Sequence, residues 1–149
     1  MSEIFRTPDP SMIKVFKPLL TEADIEAVAK VMRSGNLVQG IQVKAFEEEF
    51  AKAHGCEYGV AVNSGTTALQ ACLLVSGIGP WDEVIVPAIS FFATVEAVLW
   101  IGATPVFCEV DERGGMCPRD LKTRITPSTK AIIPVHFFGI PCNITEIVA

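Results

Sequence analysis

A doubly wound, mainly parallel α/β sheet is the fold class this sequence predicts, and three observations carry it. Apolar runs of five to eight residues alternate with helical segments of about a dozen, the order of parallel β-α-β units. These runs are continuously apolar rather than alternating, as strands buried on both faces are. The polar and aromatic residues that could do chemistry, at 63–67, 87–92, 110–111 and 136–139, all fall just after a run. Ligands of such sheets bind beyond the carboxyl ends of the strands.

Each element has its own justification. Thr21 and Asp24 form a capping box ahead of apolar Ile25, Val28, Ala29 and Met32, and Gly35 closes that helix. A short loop, Asn36–Gly40, leads to a second helix near Val43–His54, with Phe46 and Phe50 one turn apart. Strand Tyr58–Val62 and helix Thr66–Ser76 follow, stopped by Gly77-Ile78-Gly79-Pro80. Strand Glu83–Pro87, helix Phe91–Ile101 and strand Pro105–Val110 come next. The polar stretch 111–129 holds one short helix, Pro118–Ile125, before strand Lys130–Phe137. Asn143 and Glu146 open a last helix as a capping box with only six residues after the cap. A helix begun in this way and stopped after about one and a half turns is expected of a shortened chain.

The junction Asn63-Ser64-Gly65-Thr66-Thr67-Ala68-Leu69-Gln70 is the most informative segment. A strand that turns through glycine into a helix aims free N–H groups and the positive end of the helix dipole at one point. Hydroxyls of Ser64, Thr66 and Thr67 add donors there, which suits a phosphate. An ordinary Ser or Thr helix cap reads the same residues equally well. No lysine follows and only one glycine is present, so neither the nucleoside-triphosphate loop nor the dinucleotide fingerprint is matched.

Composition excludes several classes. A chain of 149 residues, half of them apolar, can bury roughly 70% of its unfolded surface. The most apolar stretches are interrupted by Pro87, Glu96, Gly102 and Pro105, too often for a membrane helix, although mean hydropathy is +0.40. Residues 1–12 lack the apolar core of a secretory signal. Five cysteines with no C-x-x-C pair suit free thiols in a reducing, cytoplasmic setting. A net charge of −5 with scattered cations argues against nucleic acid.

Six segments in register resemble one family. They are Ser34-Gly35 with Gly40, Asn63–Leu69, Gly77–Pro87, Phe91–Thr94, Gly102–Phe107 and Pro134–Gly139. In order and spacing they are similar to the DegT/DnrJ/EryC1/StrS family of nucleotide-sugar aminotransferases, from about Val15 to the last residue. The resemblance implies part of the large domain of the aspartate-aminotransferase-like fold (PLP fold type I), a three-layer α/β/α sandwich over 15–149, with 1–14 as a leader. It implies pyridoxal 5'-phosphate as cofactor, its phosphate held by Gly65, Thr66 and Thr67 and its ring stacked on Phe91. It further implies a nucleotide-linked keto sugar as substrate, an amino-acid donor such as glutamate, and a homodimer. The loop from Gly35 to Gly40 would lie near the substrate entrance, or serve only as a helix connector. His136 reads as a hydrogen-bonded structural histidine rather than the base.

No catalytic residue is carried across. The family's Schiff-base lysine and the aspartate on the ring nitrogen stand after the strand that ends at His136, and none of the seven lysines here matches. The expectation is an N-terminal portion of an aminotransferase that is inactive alone and exposes apolar surface. A dehydratase of the same family and a non-catalytic binding relative are the alternatives, separated by what stands at the lysine position.

Overall fold

The computed structural model describes residues 17–149, so the leader expected at 1–14 lies outside the described residues. Two compact units divide at Gly59 and Val60.

The first unit carries two helices. In α1 (Glu22–Ser34) the Thr21 hydroxyl accepts the Asp24 N–H, the Asp24 carboxylate accepts the Thr21 N–H, and Gly35 takes φ 71° at the C-cap. Both cap expectations are met because they depend only on neighbours in sequence. Its apolar stripe is not buried: Ile25, Val28 and Met32 are all exposed. Helix α2 (Ile41–Ala53) starts two residues earlier than expected, with Gly40 at its N-cap and Ala51 buried. The Phe46 and Phe50 rings pair as their spacing requires, with centroids 5.5 Å apart.

The second unit is a three-layer sandwich. After α3 (Gly65–Val75) come β1 (Glu83–Pro87), α4 (Ala93–Trp100), β2 (Thr104–Cys108), α5 (Pro118–Arg124), β3 (Thr129–Ile132) and α6 (Ile144–Ile147). The strands are parallel in the order β2-β1-β3, with Ile85 beside both Val106 and Ile132. Alternation along β1 supplies both cores. Val84 and Val86 pack with Leu73 of α3 and Ala97 and Val98 of α4. Ile85 points the other way, to Cys108, Met116 and Leu121 of α5. Burial on both faces explains the continuous apolar run of β1, whereas β2 and β3 are only partly buried in this structure.

Three strand expectations are corrected. Residues 58–62 form no strand among the described residues, and Tyr58, Val60 and Val62 are exposed. A strand exists only through a partner ladder, and the ladders here join β1 to β2 and β1 to β3. Strand β2 ends at Cys108 because the chain turns back there, Val110 bridging antiparallel to Met116. Strand β3 ends at Ile132 rather than Phe137. Ile133 still donates to the Ile85 carbonyl at 2.9 Å, but Pro87 and Pro134 lack the N–H groups that would continue the ladder. At the last helix the Asn143 amide bonds the Glu146 carboxylate at 2.7 Å, and no side chain caps the backbone.

Candidate functional site

The crossing order β2-β1-β3 puts the topological switch between β1 and β3. The loops after those strands therefore flank the crevice where ligands of open parallel sheets bind. Helix α3 packs through Leu69 and Leu73 on the β1 face lined by Val84 and Val86, together with α4.

At that start Ser64 is extended (φ −159°, ψ 159°) and its Oγ accepts the Thr67 N–H at 3.1 Å. The Thr67 hydroxyl donates to Asn63 Oδ1 at 2.8 Å, so the 2.9 Å contact between Ser64 Oγ and Thr67 Oγ1 uses the serine proton. Residue types alone do not reveal this closed network. Thr67 was expected to offer a free hydroxyl, and here its N–H and its hydroxyl proton are both spent within the chain. The N–H groups of Gly65 and Thr66 and the Thr66 hydroxyl have no partner among the described residues. No acidic residue occupies the first turn of α3, so the positive end of its dipole is unopposed.

Gly65 adds a second observation. It is not among the residues with positive φ, and a Cβ built on it would meet nothing within 4 Å. Neither backbone conformation nor packing within the chain requires a glycine there. The open volume lies beside the unpaired donors. The arrangement fits the phosphate of pyridoxal phosphate: two backbone donors, one hydroxyl, an aligned dipole and room for a dianion.

Phe91 stands on the loop between β1 and α4, which starts two residues later than expected, at Ala93. The ring is 77% exposed and Phe92 66% exposed, so each presents an open face. On the same segment Ser90 and Thr94 share a 2.9 Å hydroxyl contact, and Ala88 donates to the Cys108 carbonyl at 2.8 Å. Burial, and after it the charge of Asp120, pushes the Cys108 thiol up to about 11, which removes it as a nucleophile. The Arg124 guanidinium, and next the Glu109 N–H, hold the Asp120 carboxyl below its ordinary range.

On the other side of the switch, His136 follows β3 at four residues' distance and is exposed. Its Nδ1 accepts the Cys142 N–H at 3.1 Å, and Cys142 Sγ donates to the Val135 carbonyl at 2.9 Å. That bond agrees with a structural histidine. No group of His, Cys, Asp and Glu able to hold a metal occurs among the described residues. Nor is any described helix long and apolar enough to cross a membrane.

An α/β/α sandwich around parallel strands in this order belongs to the open parallel-sheet class. The DegT/DnrJ/EryC1/StrS aminotransferase family model matches residues 18–149, and the chain belongs to that family. It is 45% identical over 135 residues to the UDP-N-acetyl-3-dehydro-alpha-D-glucosamine 3-aminotransferase of Acidithiobacillus ferrooxidans, covering 90% of this chain and 36% of that protein. It is 43% identical over 133 residues to the spore coat polysaccharide biosynthesis protein SpsC of Bacillus subtilis, covering 89% of this chain and 34% of that protein. The crystal structure of NtdA from Bacillus subtilis with bound cofactor PMP superposes with a TM-score of 0.79 at 33% identity, over 86% of this chain and 31% of that one. The chain thus spans about a third of the length of the relatives it matches, and its fold is that of the fold type I aminotransferases.

Proposed function

We propose that the whole protein is a pyridoxal-phosphate-dependent aminotransferase that moves an amino group from an amino acid, such as glutamate, to a nucleotide-linked keto sugar. The observation that carries this reading is the pair of unpaired N–H groups at Gly65 and Thr66, beside a glycine whose missing Cβ leaves space. Family membership and the relative named as a UDP-N-acetyl-3-dehydro-alpha-D-glucosamine 3-aminotransferase support it. When bound, the cofactor would supply the electron sink that aminotransfer needs.

This chain's own residues bind and orient. Gly65 and Thr66 would grip the phosphate with two N–H groups and a hydroxyl. Asn63, Ser64 and Thr67 hold the helix start in the shape that keeps those donors open. Phe91, exposed on its loop, would cover one face of the cofactor ring and keep water from it. Family membership also supports a homodimer, and the five free thiols a reducing cytoplasm.

The test is absorbance titration of the whole protein with pyridoxal phosphate. Gly65→Val should bind far more weakly, because its side chain would fill the volume beside the donors, and Phe91→Ala should weaken binding and shift the bound absorbance. Parent-like affinity and spectrum in both variants would refute the assignment.

A further inference from the structure

We propose that Phe138 is a stacking wall for the nucleobase of the nucleotide-linked sugar, an inference that rests on the substrate class proposed above. Three observations converge on it. Phe138 takes φ 52° and ψ 25°, a left-handed conformation that a bulky side chain adopts only when its surroundings impose it. The ring that this strained backbone carries is 81% exposed among the described residues, open to a guest. The loop that holds it is fastened at both ends, the Cys142 N–H and thiol bonding His136 Nδ1 and the Val135 carbonyl.

Placement gives the ring its role. Extending the Ile85–Ile132 register by two residues sets Pro87 beside Pro134. Phe91 and Phe138 each stand four residues beyond those positions, one on either side of the switch between β1 and β3. The Phe137 ring backs Phe138 with centroids 4.2 Å apart, tilted by 47°, and one aromatic face remains for a guest. With Phe91 given to the cofactor ring, the second platform at the crevice suits the other flat ring of such a substrate pair. A nucleobase stacks on an aromatic face with little dependence on its identity.

The experiment is calorimetric titration of the cofactor-loaded whole protein with UDP, dTDP and GDP. Phe138→Ala and Phe138→Gly should bind the parent's preferred nucleotide roughly 5- to 150-fold more weakly, and Phe138→Trp should bind it as the parent does. Phe138→Gly should also raise the urea midpoint, since glycine accepts φ 52° freely, so weaker binding there cannot come from a damaged fold. Pyridoxal phosphate affinity should not change in any of them. If both truncated variants bind the nucleotide as tightly as the parent, the stacking wall is wrong while the sugar-nucleotide reading stands. If the parent binds none of the three nucleotides, the substrate reading fails and takes this inference with it.

Discussion

Thr66 and Thr67 are adjacent, chemically identical and predicted to behave differently. The Thr66 N–H and hydroxyl are unpaired in the structure, whereas Thr67 spends its N–H on Ser64 and its hydroxyl proton on Asn63. On the proposed reading, Thr66→Ala removes one hydrogen bond to the phosphate dianion, worth about 1.5–3 kcal/mol, so cofactor affinity should fall roughly 10- to 150-fold. Its stability should hold or rise by a few tenths of a kcal/mol, alanine being the better helix former. Thr67→Ala instead breaks the 2.8 Å bond to Asn63 and the 2.9 Å contact to Ser64. Both bonds are neutral and solvent-exposed, so stability should fall by about 1 kcal/mol in total. Ser64 Oγ still caps the Thr67 N–H, which survives the substitution, and a looser cap of that size should cost no more than about fivefold in affinity. Absorbance titration with pyridoxal phosphate and urea unfolding of the same two variants separate these effects. Parent-like binding by Thr66→Ala would refute the cup. So would a Thr67→Ala variant that loses more affinity than Thr66→Ala at an unchanged urea midpoint.

Two further outcomes follow from charge and burial. Arg124 and the Glu109 N–H depress the Asp120 pKa, so the stability this carboxylate contributes is present above its unfolded value of about 3.9 and is lost as pH falls through the folded one. Urea midpoints measured on acidification should therefore decline less steeply in Asp120→Asn than in the parent, and equal slopes would count against the link. Cys56 and Cys72 are exposed whereas Cys108 and Cys142 are buried, Cys108 with its pKa at about 11. Mass spectrometry after brief thiol alkylation near neutral pH should find label on the first pair and, until urea is added, none on the second.

The helices were legible because their signals are local. Thr21, Asp24 and Gly35 bracket α1 as read, and Pro118 opens α5 where the sequence puts it. Strand β1 was legible to the residue because Val84, Ile85 and Val86 are buried on both faces, which leaves a continuous apolar run. The phosphate-type turn was legible as residue types. Which of its donors are free was not, because that depends on where the Asn63 carbonyl and the Ser64 hydroxyl come to rest. Phe138 escaped notice for a related reason: a left-handed φ in a phenylalanine has no signature in composition or periodicity.

By itself the sequence determined the alternation of elements, the caps, the buried strand at the centre of the sheet, and six spaced motifs specific enough to name a family. Tertiary structure decided the rest. Only pairing could show that 58–62 forms no strand, that β3 stops where prolines remove the ladder's donors, and that β1 lies between β2 and β3. Only three-dimensional placement could commit Thr67 to its neighbours and leave Gly65 and Thr66 open. Helix and cap energetics depend on residues three or four apart, whereas strand pairing and the sharing of donors depend on groups that the chain brings together only when it folds.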